Sequence, residues 1–312
     1  QVGIRIVMLR VAYHRAGFNQ PPNPRQCRFL ENDPQDCLSS VQRFLQMGRM
    51  AGVAPHSLRA VPRTWFSELR EFAKQHQLPL HMHVAEQPRE LEECLAEYGC
   101  RPVELLEQEG LLGPSFTGVH LIHLNSAEIQ TLGSQNCTVC SCPTTERNLG
   151  DGIVQADELL RLGCRFALGS DSQCQIDPLE DARQLEYHLR LYHRQRGLLP
   201  TMAQDASSGE SVTHEIAGKL LEIATEGGAR SLGLMGGKIT AGNVADFVQI
   251  DLDHPSLLGL GSPLTRIVFG LPREAIERVF VKGKVVWNQG HPLQDSITSC
   301  FRKVLRQLSD TP

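Results

Sequence analysis

Six short apolar runs punctuate the first 172 residues: Ile4–Val11, Met50–Pro55, Leu78–Glu86, Phe116–Leu124, Cys137–Cys142 and Arg165–Ser172. Between them apolar residues recur at helical spacing, as in Leu69 with Phe72 and Leu91 with Leu95. Near-continuous apolar strands alternating with amphipathic helices predict a parallel sheet covered on both faces. No Gly-rich dinucleotide loop follows the first strand. The pattern therefore favours an α/β fold of the (β/α)8 TIM-barrel type over an open doubly wound sheet. Six strands fall short of eight, so the expectation is an incomplete barrel with two strands missing or unrecognised.

Beyond these runs the spacing predicts a long amphipathic helix from Leu179, a polar loop over Gln204–Glu210 and a second helix over His214–Leu232. The character then turns to β, with Gly237–Asp251 and Arg278–Trp287 reading as two strand pairs joined by Gly-containing turns. The expected division is a partial barrel over 1–235 and a β-rich segment over 236–312. The latter reads as a small C-terminal β appendage with a terminal helix.

With 41% hydrophobic and 21% charged residues, the 312-residue chain has the composition of a soluble globular protein. Thirty-one Lys and Arg against 35 Asp and Glu leave a net charge of -4, so there is no basic field to attract nucleic acid or an acidic membrane. No apolar run reaches the ~18 residues that would span a bilayer. The opening residues, Gln1 to Val7, read as a strand rather than an export signal. Ten scattered cysteines lack the density of a secreted disulfide scaffold, and a reducing, cytoplasmic compartment is expected.

Chemistry concentrates where the apolar runs end: His56 after the second, His81, His83 and Glu86 on the third, His120 and His123 on the fourth, Asp171 on the sixth. The C-terminal ends of parallel strands are where such folds build their sites. Strand periodicity puts His81, His83 and Ala85 on one face and lets Glu86 turn over the strand end. An imidazole and a carboxylate placed so suit a divalent ion and the group that handles its water, whose pKa the ion lowers to about 7. Taken singly, His120 reads as a hydrogen-bonded structural histidine, Asp171 as a helix N-cap and Arg59 as a solvated charge. Together the strand-end residues point to a shared site.

Cys137-x-x-Cys140-x-Cys142 has partial metal-ligand spacing, but on an apolar strand with no second half it reads as buried thiols. The His-x-Glu with Pro-Cys-x-x-Cys of nucleoside-type zinc deaminases is absent, as are a Gly-x-Ser-x-Gly elbow and a Gly-Lys-Ser/Thr loop. Serine-hydrolase and nucleotide-dependent chemistry lose support accordingly.

Five segments carry a resemblance: Ala-Pro-His56-Ser-Leu-Arg59, His81-Met-His-Val-Ala-Glu86-Gln, Val-His120-Leu-Ile-His, Asn148-Leu-Gly-Asp-Gly-Ile and Leu-Gly-Ser-Asp171-Ser. From near residue 3 to about residue 290 the chain resembles the formimidoylglutamate deiminases of the amidohydrolase superfamily. That resemblance implies hydrolysis of N-formimino-L-glutamate to N-formyl-L-glutamate and ammonia, in histidine degradation, with one zinc ion. It implies His83 and Asp171 as metal ligands, with Asp171 also accepting a proton from the water. Glu86 would carry a proton to the leaving nitrogen, and His120 would orient the nucleophile and imino group. His56 and Arg59 would hold the substrate carboxylate, for which the planar donor fork of Arg is suited.

The chain departs from that pattern in two ways. The His-x-His pair that ends the superfamily's first strand is not found, so this chain on its own is expected to turn over little substrate. Gln173 also stands where the group carries His. The expected partner is the small-molecule substrate, with neither nucleic acid nor membrane, and a homodimer is a further possibility. Two other readings stay open: a superfamily deaminase of the guanine or cytosine type, and a metal-free inactive relative serving subunit association.

Overall fold

The computed structural model describes residues 3–22, 24–172, 174–200, 209–259, 261–288, 299–300, 303–304 and 306–307. Gln173, most of the loop expected over Gln204–Glu210 and much of the expected terminal helix lie outside the described residues. The described residues divide into two compact units. The larger holds Ile6–Lys238 and Gly261–Phe269; the smaller holds Gln1–Arg5, Ile239–Leu260 and Gly270–Pro312.

In the larger unit, strands β1 (Val7–Ala12), β2 (Met50–Pro55), β3 (Leu80–Val84), β4 (Phe116–His120), β5 (Thr138–Ser141) and β6 (Arg165–Leu168) form one parallel sheet in sequence order. A doubly wound sheet reverses its strand order at a switch point, and this one does not. Helices fill the crossovers: α1 (Pro34–Gln46), α2 (Phe66–Gln75), α3 (Pro88–Tyr98), α4 (Pro102–Gln108), α5 (Ser126–Ser134), α6 (Pro143–Leu149) and α7 (Ala156–Arg161). Their starts are locally encoded. Asp33 accepts from the amides of Gln35 and Asp36 ahead of Pro34, and Asn125 with Glu128 forms a capping box on α5. Phe66, Leu69, Met82, Leu105, Phe116, Leu132 and Leu159 fill the core between sheet and helices.

Apart from β2, the strands are shorter than the apolar runs that announced them. Ala85, His120, Leu121 and Asp171 all take left-handed φ values, of 51°, 73°, 52° and 43°, and this turns the chain out of β3, β4 and the run beyond β6. Leu121 and Ile122 stay buried past the strand, so their apolar character extended the expected run. At the first strand Arg5 instead pairs with Asp246 at 2.6 Å inside the smaller unit, and β1 begins only at Val7.

Helix α8 (Pro178–His193) follows the sheet, capped by Asp177. The helix expected over His214–Leu232 is α9 (Gly209–Glu222), a π turn over Ile223–Gly227 and α10 (Gly228–Ser231). A Cβ at Gly227 would sit 2.0 Å from the Phe166 carbonyl oxygen, so only glycine lets this turn lie against β6. The smaller unit carries one antiparallel sheet in the order β7 (Phe247–Ile250), β8 (Ile276–Val281), β9 (Lys284–Asn288). Three strands thus replace the two expected pairs. Gly236, Gly237 and Gly242, with φ of 146°, 83° and 89°, break the segment before Phe247 into turns. Among the described residues no helix is long and apolar enough to cross a membrane.

His81, expected on the same strand face as His83, lies apart from the site chemistry. Its Nε2 donates to the Ser231 carbonyl at 2.7 Å, and burial holds its pKa below the ordinary value. The unfolded chain therefore takes up this proton first, near pH 6.5, and stability falls as pH drops through that value. His81→Leu leaves the Ser231 carbonyl without a donor and is expected to cost about 1–3 kcal/mol at pH 7.5. Urea unfolding at two pH values checks both effects: the variant should lose part of the acid-side decline, and an unchanged decline would show that His81 does not supply it.

Candidate active site

The site residues sit at or just past strand ends, and neighbouring groups hold them there. After β3, the Glu90 carboxylate, fully buried in the first turn of α3, accepts from the amides of Ala85 at 3.0 Å and Glu86 at 3.2 Å. This fixes the left-handed Ala85 and presents Glu86 above the strand. Burial raises the Glu90 pKa, with the nearby Arg59 charge and the two amides opposing the shift. Arg59, in the loop after β2, places Nη2 2.8 Å from Glu86 Oε2 and Nε 3.9 Å from Glu90 Oε2.

His83 Nδ1 lies 2.8 Å from the His56 carbonyl oxygen, which also accepts the His83 amide at 3.1 Å. A carbonyl can only accept, so Nδ1 carries the proton and Nε2 keeps its lone pair for the site. The His56 ring packs against His83 with centroids 4.9 Å apart. Burial first, then the neighbouring His83 and Arg59, lower the His56 pKa to about 3. That ring is neutral at physiological pH.

His120 is fully buried, and its Nδ1 lies 3.2 Å from Glu146 Oε1. Glu146, itself buried at the start of α6, also accepts from the Cys142 amide at 2.7 Å and the Ser141 hydroxyl at 3.1 Å. Burial pulls the His120 pKa down, but the Glu146 hydrogen bond and charge, with Glu86 and Asp171, outweigh it and the net shift is upward. On the other side of the ring, His120 Nε2 is buried without a hydrogen-bond partner. It lies 3.8 Å from Glu86 Oε1 and 3.8 Å from Asp171 Oδ2. His83 Nε2 is likewise 3.8 Å from Asp171 Oδ1, and the two imidazoles hold the Asp171 carboxyl below the usual range.

The structure thus brings His83, Glu86, His120 and Asp171 to one place, with Arg59 joined through Glu86 and His56 beneath His83. Ligand atoms of His83, His120 and Asp171 all lie within 4.8 Å of one another. Two imidazole nitrogens and a carboxylate oxygen, one of them an orphaned buried atom, match the donor set of a divalent zinc site. Four left-handed residues at these strand ends store backbone strain where the side chains must converge.

Glu146, Glu90 and Asp151 were not anticipated. Asp151 is buried and accepts from Gln87 Nε2 at 3.0 Å, which ties the 148–153 loop to the residue after Glu86. The usable signal for the two glutamates was a Pro opening a helix just past a strand, with Glu in its first turn: Pro88-x-Glu90 and Pro143-x-x-Glu146.

A formimidoylglutamate deiminase of Pseudomonas aeruginosa is 32% identical over 99% of this chain and 67% of its own length. A 5-methylthioadenosine/S-adenosylhomocysteine deaminase of Syntrophobacter fumaroxidans is 28% identical over 97% of this chain and 65% of its own. The crystal structure of an amidohydrolase from Brucella melitensis superposes with a TM-score of 0.84 at 32% identity, over 98% of this chain and 67% of that one. A zinc-bound adenosine deaminase from Xanthomonas campestris shares the fold, with a TM-score of 0.80 at 22% identity. The chain spans about two thirds of the length of these relatives. The amidohydrolase family model matches residues 2–286, and the chain belongs to that family of C–N bond hydrolases.

Proposed function

We propose that this site serves the hydrolysis of N-formimino-L-glutamate to N-formyl-L-glutamate and ammonia. The observation that carries the reading is the Arg59–Glu86 pair beside His83, His120 and Asp171. A guanidinium able to take a substrate carboxylate adjoins the groups that would move protons. The six strands, wound in sequence order, are read as members of a (β/α)8 barrel.

His83 and Asp171 would hold a zinc ion, and His120 Nε2 lies within reach as a third donor. When bound, such an ion acidifies a water and polarises the carbon under attack. The chain's own groups divide the proton traffic. Asp171, kept ionised by its imidazole neighbours, accepts the proton that the attacking water gives up. Glu86 Oε1, 3.8 Å from the same His120 Nε2 as Asp171 Oδ2, returns to the departing nitrogen the proton that the water gave up, as the C–N bond breaks and ammonia leaves. His120, anchored by Glu146 at Nδ1, orients the reacting groups between these carboxylates. Arg59 has donors beyond the one given to Glu86, and with His56 it takes the glutamate carboxylate.

Affinity for the product N-formyl-L-glutamate, measured by calorimetry on zinc-loaded protein, tests the substrate class without requiring turnover. Arg59→Met should weaken it roughly 10–150-fold, the value of one charge-assisted hydrogen bond. Preference for 5-methylthioadenosine, unaffected by that change, would sink the assignment. The low ammonia release expected of this chain with N-formimino-L-glutamate should fall a further ~10²–10⁴-fold in Glu86→Gln, as for loss of a general acid.

Glu146→Gln removes the charge that seats His120 and is expected to weaken zinc binding about 10–100-fold if His120 ligates. A competition titration against a chromogenic chelator reads this directly. Unchanged affinity would restrict the ligands to His83 and Asp171.

A further inference from the structure

The cysteines at the end of β5 have no part in the chemistry above, yet they border it. Cys142 Sγ, a Glu146 carboxylate oxygen and a His120 ring nitrogen lie within 4.8 Å of one another. All three residues are buried to 1% exposure or less. Cys140, two residues earlier, brings a second sulfur to the same hollow, opposite Gly169. A Cβ at Gly169 would sit 3.0 Å from Cys142 Sγ and 3.3 Å from Cys140 Sγ, so the glycine leaves the room these sulfurs occupy. Among the described residues all ten cysteines are free of disulfides.

We propose that Cys142, Glu146 and His120, with Cys140 as an available fourth donor, form a second cation site, selective for soft or borderline ions such as Cd²⁺ and Co²⁺. The donor chemistry separates it from the first site. His83, His120 and Asp171 offer only nitrogen and oxygen, whereas this one offers thiolate, which soft ions prefer. A thiolate and a carboxylate also balance the two charges of the ion, as a buried site requires. Tetrahedral coordination with bonds of ~2.0–2.3 Å spaces ligand atoms by about 3.3–3.8 Å. The His120–Glu146 separation of 3.2 Å already meets this spacing, and the sulfur needs only a small approach.

Loading the site balances as follows. The Cys142 thiol gives its proton to solvent and its sulfur bonds the ion. Glu146 exchanges the His120 hydrogen bond for a metal bond. The ring proton of His120 moves from Nδ1 to Nε2, freeing the Nδ1 lone pair. His120 Nε2 then carries a hydrogen and no longer offers a lone pair toward His83 and Asp171. A soft cation here therefore excludes His120 from the first site, and the shared imidazole makes the second site inhibitory.

The test is Co²⁺ titration of the full chain with the exposed Cys27, Cys174 and Cys300 replaced by Ser. A sulfur-to-cobalt charge-transfer band is expected. It should vanish in Cys142→Ser, weaken in Cys140→Ser and persist in Asp171→Asn, which touches only the first site. X-ray absorption on the Cd²⁺-loaded protein without the Cys142 change covers the case in which that variant misfolds, and should find one or two sulfurs around the ion. Absence of the band, its survival in Cys142→Ser, or a cadmium shell without sulfur would overturn the proposal. Loss of the band in Asp171→Asn would overturn it equally, by showing a single shared site.

Discussion

Glu146 is a carboxylate with almost no access to water, and burying a charge is tolerable only where hydrogen bonds replace the lost solvent. It receives them from the Cys142 amide, the Ser141 hydroxyl and His120. Those donors come from the ends of two neighbouring strands, β4 and β5. The same contacts that satisfy the carboxylate therefore set the distance between the strand ends and leave His120 one free nitrogen. Glu90 repeats the device one strand earlier, where two amides of the Ala85 turn satisfy it. Two buried carboxylates position the site's reactive groups.

That arrangement also explains how strained turns persist. A left-handed Ala85, His120, Leu121 or Asp171 costs energy that its own residue cannot recover. The carbonyl of Ala85 accepts from both Ile122 and His123, so the turn after β3 is bonded to the turn after β4. Asp171 is met in the same way through Ser172, whose amide donates to the Thr145 hydroxyl at 3.1 Å. Neighbouring turns hold one another, and the site is preorganised by several loops together rather than by any one of them.

The parallel sheet was legible because strands buried on both faces leave unbroken apolar runs, and Met50–Pro55 is reproduced residue for residue. Strand ends were less legible, since Leu121 and Ile122 remain apolar for the packing under the turn rather than for the strand. The converging residues His83, Glu86, His120 and Asp171 could be picked out because all follow apolar runs. Glu90 and Glu146 could not, because a glutamate in the first turn of a helix also occurs simply to complement the helix dipole. The Arg59–Glu86 pair spans 27 positions and leaves no local pattern at all. Ahead of β7, glycines that read as turns between strands instead consumed a whole expected strand.

With Glu86 against its guanidinium, Arg59 is already engaged by a carboxylate of the same molecule. Any acidic solute that reaches it meets a tethered rival, present at high effective concentration and never diluted. Small anions of the surrounding solution are at a disadvantage in that exchange, since they bring one contact where a larger ligand brings several. The internal pair thus sets a threshold that a ligand bringing several contacts meets more readily than a small anion does.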